Sequence, residues 1–460
     1  MTPEEITKQT NAVDVIAELK KKAITVPSWD KLEKEYNPRK HPVMYEPEFA
    51  DKVKRGRIIT RTRITYAWQR LATKRMSELL FALPVKYITK PINDAERTAA
   101  LILKDVLKRN RIDTLNLDRA RKLYSSCEVM TIWFSQDVET EYGNERTNKK
   151  LRCRTFSPMD NDFLYPLFDE YDDLVALSVA YTRNEGQQRI SYFDTYTDTE
   201  HARWRSDGGQ YVEEIREQIT IGKICGVYGY RLTPIWEDKS ENVYDLERTM
   251  SRNGNYLRKN SRPTWVEFTE KPRKYGKEAK EEGDRNIINL GANDKAGYQT
   301  WEQSVDSLKF QVSEIKQNYF MDLQLPDMST ENMKATPMSG EARKMMFIDA
   351  QLKAGDESGM WSEYLDREVN VLRAMLKELY PSLAPAFESL DVEVKITPYQ
   401  IRDLAERVQY LASGTGGKPI ISQRTAIREL DLADNEDAEI EQIATEEENA
   451  YSDLTQLPTE

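Results

Sequence analysis

The sequence predicts an α+β fold that is predominantly helical, and three observations carry that reading. "DAERTAALILKDVLKRN", from Asp94, places Ala99, Ile102, Leu103, Val106 and Leu107 on one face of a helix. From Glu128 onward, β-branched and aromatic residues alternate with polar ones and are cut by turn residues, which predicts strands. After residue 300 the apolar spacing is helical nearly to the end. A chain of 460 residues is long enough for two or three domains and a sizeable core.

The elements follow in order. Residues 1–50 are polar and punctuated by Pro27, Pro38, Pro42 and Pro47, which predicts a short helix and then an extended arm. "RITYAWQRLATKRMSELLFALPVKYIT" reads as a helix ending at Pro84, then a strand. The amphipathic helix from Asp94 comes next. "EVMTIWFSQD", "KLRCRTFSP", "LVALSVAYTR" and "RISYFDTYTD" read as strands. "NVYDLERTMSRNGNYLRKN" reads as a helix weakened by Gly254, and "EKPRKYGKEAKEEGDR" as a charged loop. In "WEQSVDSLKFQVSEIKQNYF", Trp301, Val305, Leu308, Val312, Ile315 and Tyr319 recur at steps of four and three. That seam spans roughly 30 Å; it fits a coiled coil or, slightly better, ordinary packing on its own chain.

"LPDMSTENMKATP" is a polar loop bracketed by Pro326 and Pro337, with Met328, Met333 and Lys334 in it. "MSGEARKMMFIDAQLKAG" then predicts a helix capped by Ser339 and closed by Gly355. It is apolar over more than one stripe, with Arg343, Lys344 and Lys353 among the apolar residues. The remainder predicts three helices: "WSEYLDREVNVLRAMLKELY", "YQIRDLAERVQYLAS" and a weaker one near 436–450.

Charge is unevenly placed on this chain of net charge −11. Lys52 to Ser77 holds nine Lys or Arg and no acid, whereas no Lys or Arg follows Arg428. Complementary contacts between copies of the chain are expected from such a split. No apolar run approaches the ~18 residues of a membrane span, and the N-terminus lacks a signal-peptide layout, so no membrane partner is expected. Cys127, Cys153 and Cys225 form no metal or redox spacing and are expected as buried free thiols.

Catalytic motifs were sought without success. His41 and His201 lie in no metal spacing and read as partly exposed structural histidines. "SGTGGKP" lacks the first glycine of a phosphate loop, where Ala412 stands, and has Pro419 where Ser or Thr must bind Mg²⁺. It reads as a turn between helices. Isolated pairs such as Asp172-Asp173 read as surface turns. No enzyme, cofactor or metal is therefore expected, although an enzyme using dispersed carboxylates on nucleic acid stays open as an alternative.

Several segments, collinear over about 78–445, resemble the portal (head–tail connector) family of tailed bacteriophages. "LLFALPVKYIT" is similar to that family's helix-then-strand entry, with Ala82 in place of the usual Gly. "CRTFSPMDNDFLYPLFDEYDDLVALSVAYTR" resembles its wing, "RLTPIWEDKSENVYDLERTM" the lead into its first stem helix, and "MSGEARKMMFIDAQLKAG" the helix after its tunnel loop. "GGKPIISQRTAIRELDLADNEDAEIEQI" resembles the crown ending, with Ser422, Thr425 and Leu430 in place. Cys127 departs from the usual Gly after the second helix.

The resemblance implies a portal-like subunit with an N-terminal arm (1–50), an α+β wing (51–234) and a stem helix with clip (235–300). A second long helix, tunnel loop and tunnel-loop helix (301–355) and a helical crown with acidic tail (356–460) would follow. It implies a homo-oligomeric ring, typically a dodecamer, at one capsid vertex of the virion, assembled in the host cytoplasm. Double-stranded DNA would pass through without sequence reading. The terminase large subunit, major capsid protein and head-completion or tail adaptors would be its partners. Met328, Met333, Lys334, Met338, Arg343 and Lys344 become candidates for the channel lining. Flexible methionines and a few lysines touch phosphate without gripping it, whereas a strongly basic lining would hold the DNA. Another virion structural or adaptor protein is the nearest alternative.

Overall fold

The computed structural model describes residues 12–21, 24–54, 56–206, 208–260, 264–268, 295–299, 305–325, 347–399, 404–416, 419–430 and 439–446. The chain divides into two units, Met1–Ser329 with Asp349–Tyr399, and Thr330–Ile348 with Gln400–Glu460.

In the first unit, two antiparallel sheets face each other. One has the order β11-β4-β5, from β4 (Glu128–Tyr142), β5 (Glu145–Phe156) and β11 (Gly226–Tyr230). The other has the order β10-β9-β8-β7-β6. Its strands are β6 (Phe163–Phe168), β7 (Leu174–Glu185), β8 (Gln188–Tyr196), β9 (Glu200–Ser206) and β10 (Val212–Gln218). Neighbours in this sheet are consecutive in the chain, so short turns suffice to build it. The four strands read from the sequence correspond to β4, β5, β7 and β8. The Asp172 turn is also as expected: Asp172 is left-handed (φ 64°), and Asp169 Oδ1 accepts the Tyr171 and Asp173 amides.

β4 is the shared wall of two cores. Met130 and Ile132 point into the sandwich with Phe156, Leu177, Val179 and Tyr181. Val129 and Trp133 point the other way, into the helical core. Period-two alternation in this strand therefore sorts residues between two dry faces rather than between core and water. The far face of the five-stranded sheet is covered by α1 (Ala12–Leu19), through Val15, Ile16 and Leu19 against Phe193 and Trp204.

The helical core gathers α2 (Trp29–Tyr36), α3 (Trp68–Phe81), α4 (Asp94–Arg109), α5 (Ile112–Ser126) and α8 (Ile348–Leu379). α4 buries all five residues of the expected face, Ala99, Ile102, Leu103, Val106 and Leu107. Asn93 caps it by accepting the Glu96 amide at 2.8 Å. α5 ends on Cys127, which is left-handed (φ 63°) and fully buried. The position thus takes the left-handed geometry that glycine adopts most readily, at a backbone cost of about 1–2 kcal/mol. Cys153 and Cys225 are free but only half-buried, so the expectation of three buried thiols holds in full for Cys127 alone.

Three local expectations are corrected. The proline-rich stretch before residue 50 is not an extended arm. Pro38, Pro42 and Pro47 each open a 3₁₀ turn, because a fixed φ and a missing N–H suit the first helical position. His41 in that stretch is fully buried, not partly exposed: Nδ1 lies 2.7 Å from Glu247 Oε1 and Nε2 2.8 Å from the Glu35 carbonyl. The half-buried His201 stacks on Tyr196 and carries no metal spacing. Finally, α3 starts at Trp68, and the residues before it are extended rather than helical.

That extended run lies along α6 (Ser240–Asn260), and its amides bond to helix side chains. Thr62 N donates to Asn255 Oδ1 at 2.8 Å, Ile64 N to Ser251 Oγ at 2.8 Å and Tyr66 N to Glu247 Oε1 at 2.7 Å. The match is geometric. Two extended residues advance roughly 6.6 Å, and four helical residues about 6 Å. Alternate amides of this run therefore meet every fourth helix side chain. Gly254 belongs to this contact, since a Cβ there would stand 2.8 Å from Thr62 Cγ2. It is a site of close approach, not a weak point.

α8 is one helix of 32 residues, so Gly355 does not terminate it. The buried series Ala350, Ala354, Trp361, Tyr364, Leu365, Glu368 and Leu372 carries the helix through Gly355 and Gly359. Tertiary burial outweighs the ~1 kcal/mol that each interior glycine costs. Both glycines are exposed with nothing near an added Cβ. Gly355→Ala and Gly359→Ala should each therefore stabilise the protein by about 1 kcal/mol, read as a rise in the urea midpoint. A loss of stability in either variant would show that the helix is not continuous there.

The second unit contains α10 (Leu404–Thr415) and α11 (Gln423–Leu430). The amides of Ile420 and Ile421 return to the Gly414 carbonyl at 2.9 and 3.2 Å. Ser422 Oγ accepts the Thr425 amide at 3.2 Å and so caps α11, and the two hydroxyls of Ser422 and Thr425 lie 2.9 Å apart. Residues 439–446 are helical, as the weak pattern near 436–450 predicts.

Candidate functional site

The sequence pointed to the loop after residue 325. Met328, Met333, Lys334, Met338, Arg343 and Lys344 all lie outside the described residues. The base from which the loop departs is described. α7 (Val305–Asp322) runs into it. Tyr319 and Phe320 are buried against Trp68, with ring centroids at 5.1 and 5.8 Å, and the Arg75 guanidinium lies 4.6 Å from the Phe320 ring. Gln324 takes a left-handed turn (φ 53°), and Leu325 N bonds back to the Phe320 carbonyl at 3.0 Å. Leu323 and Leu325 are buried there.

On the return side, Lys353 of α8 donates from Nζ to the Leu323 carbonyl at 2.7 Å. One bond thus ties the exit of α7 to the first turns of α8. Burial lowers the affinity of Lys353 for its proton. One turn along, Glu357 pairs with Arg231 and receives the Tyr124 hydroxyl at 3.3 Å, and a turn further Trp361 Nε1 donates to Tyr124 at 3.0 Å. The exit of α7 and the first turns of α8 are therefore held together by that bond and by the buried Leu323 and Leu325, with the buried Tyr319 hydroxyl left without a hydrogen-bond partner among the described residues. Sequence reading noted Lys353 but not its partner, because nothing local marks a carbonyl 30 residues upstream.

Among the described residues, the seam on α7 is fully buried at its end and partly buried before it. Tyr319 is buried; Leu308, Val312 and Ile315 are half-buried; Val305 and Phe310 are exposed. Trp301 lies outside the described residues. Among the described residues, packing on the same chain fully buries the seam at its last turn and half-buries Leu308, Val312 and Ile315.

No group of three or more His, Cys, Asp or Glu able to hold a metal occurs among the described residues. Burial pushes the Cys127 thiol up to about 12 and those of Cys153 and Cys225 to about 11, so none is an activated nucleophile at neutral pH. No described helix is long and apolar enough to cross a membrane.

A family model described as "Phage portal protein, SPP1 Gp6-like" matches residues 19–453. The chain belongs to the phage portal protein family. Among solved structures, this portal chain is similar to one titled "Neck of empty GTA particle computed with C6 symmetry". The identity is 11%, the TM-score 0.43, and the match covers 88% of this chain and 94% of that one. It is also similar to chains in "Virion of native gene transfer agent (GTA) particle" and "Neck of native GTA particle computed with C12 symmetry". Each of these is 12% identical with a TM-score of 0.41, covering 91% of this chain and 98% of the other. No curated protein matches the chain by sequence. On α7 and α8, Phe310 is 68% exposed and Leu352 62%.

Proposed function

We propose that this portal protein assembles into a closed ring, of twelve copies by the family resemblance, at one vertex of a capsid in the virion. The ring conducts double-stranded DNA during packaging and ejection without reading its sequence. The terminase large subunit, the major capsid protein and head–tail adaptors dock on it, and it performs no catalysis. The observation that carries this is the family match from residue 19 to 453. Within that reading, 51–234 is the wing, 235–300 the stem helix and clip, 301–355 the second long helix with the tunnel loop, and 356–460 the crown. The sheet sandwich, α6 with the ribbon of β12 (Thr264–Phe268) and β13 (Lys295–Gln299), and the α7 base support that order.

In the same reading the loop holding Met328, Met333 and Lys334 lines the narrowest part of the channel, with Met338, Arg343 and Lys344 at its return. The rigid base at Leu323 and Lys353 supports it, because a loop that moves against passing DNA needs fixed ends. Electron microscopy of the purified protein should show rings with an axial hole. Lys334→Glu should leave those rings intact and lower DNA packaging or retention, because one phosphate contact is replaced by repulsion. Monomers or two-fold dimers at every salt concentration would count against the ring. Mg²⁺-dependent DNA cleavage abolished by one substitution would overturn the non-enzymatic reading.

A further inference from the structure

β1 (Lys52–Lys54) and β2 (Arg57–Ile59) form a separate two-stranded ribbon, with Lys52 opposite Ile59, Val53 opposite Ile58 and Lys54 opposite Arg57. Opposed residues of an antiparallel pair share a face. One face thus carries Val53 and Ile58, and the other carries Ile59 among basic positions. Val53 is 74% exposed, Ile58 71% and Ile59 44%. Lys52 and Arg57 are exposed, and neither has an acidic partner among the described residues. A lone two-stranded ribbon is marginally stable in water, and nothing described in its own chain covers this one.

The root of the ribbon, by contrast, is held. Asp51 Oδ1 accepts from Arg61 N at 2.7 Å and from Arg63 Nη2 at 2.9 Å, closing the hairpin. From Thr62 onward the chain is bonded along α6. The ribbon therefore projects from a fixed root. Basic residues alone would fit a phosphate backbone as well as an acidic protein face. The apolar pair decides between them, because phosphates cannot cover Val53 and Ile58 and an apolar-bearing protein face can. The ribbon also opens the acid-free run Lys52–Ser77 of a chain with net charge −11, so another copy of this chain carries the opposite net sign.

We propose that this ribbon docks on an acidic face of a second copy of the chain, with Val53 and Ile58 as the apolar anchor on one face of the ribbon and Lys52 and Arg57 as the charged contacts on the other. The proposal rests on the ring reading and adds which surface makes the head-to-tail contact. The test uses the full chain with Val53→Asp/Ile58→Asp, with Lys52→Glu/Arg57→Glu, and with a photocrosslinking phenylalanine analogue in place of Ile58. Both double variants should keep the wild-type thermal midpoint, because the residues changed are exposed. Both should need an about tenfold or higher protein concentration to form rings. Crosslinks from position 58 should map to an acid-rich peptide of a second copy. Wild-type rings with unaffected variants would overturn the ribbon's role alone, as would crosslinks only to nucleic acid or to another protein. A wild type that forms neither rings nor self-crosslinks would overturn the ring reading with it.

Discussion

Glu368→Ala should destabilise the first unit by about 3–5 kcal/mol, the range seen when one partner of a buried ion pair is removed. Arg119 is fully buried, with Nη1 2.8 Å from Glu368 Oε2 and Nη2 2.5 Å from Oε1. Trp133 Nε1 donates to the same carboxylate at 2.7 Å, and Arg119 also reaches Asn116 Oδ1 at 3.0 Å. Burial works against the Arg119 charge, and Glu368 more than offsets it, so the guanidinium is held above its ordinary range. Without the carboxylate, a full charge and an indole N–H stay dry and unpaired. Urea unfolding should show the loss, and Arg119→Met with Glu368→Leu should recover much of it, because the cost lies in the unpaired charge rather than in the missing bridge. Arg119→Lys should behave more like a loss, since a point charge cannot bond to both oxygens in parallel. A Glu368→Ala variant within about 1 kcal/mol of wild type would mean that water reaches this site.

The second large effect is expected at Glu247. Its Oε1 receives the Tyr66 amide and faces His41 Nδ1, each at 2.7 Å, and both side chains of the His41–Glu247 pair are fully buried. Glu247→Ala orphans a backbone donor and a ring nitrogen together, for a loss of about 3 kcal/mol or more. Glu247→Gln keeps an acceptor for one of them and should cost about half as much. The loss should also be local. Limited proteolysis should cut between residues 51 and 66 in the alanine variant faster than in wild type. Equal cleavage rates would show that this contact does not hold the segment.

These two sites also mark where sequence reading stops. The face of α4 was legible because its five buried residues are spaced by the helix itself. β4, β5, β7 and β8 were legible because alternation and turn residues are local signals. The run Arg63–Ala67 was misread as helix because its conformation is set by Glu247, Ser251 and Asn255, some 190 residues away along the chain. Gly355 looked like a stop because the partners that bury Trp361 and Tyr364, among them Tyr124 and Gly229, come from distant elements. His41 gave no hint of Glu247, and Lys353 none of the Leu323 carbonyl. The candidate channel residues follow from the family resemblance, with Met328, Met333 and Lys334 between Pro326 and Pro337 and Met338, Arg343 and Lys344 beyond them, and a resemblance names a segment without fixing its path.

The attachment of the 62–66 run to α6 has a mechanical consequence. Tension applied through the ribbon arrives at Thr62 first, and the bonds to Asn255, Ser251 and Glu247 are loaded one after another rather than together. Such an attachment peels instead of shearing. Its last bond in the series is the one locked by buried His41, so a tug at the ribbon dissipates over the outer contacts and halts there. The helical core is in this way insulated from forces on the surface where the ribbon projects.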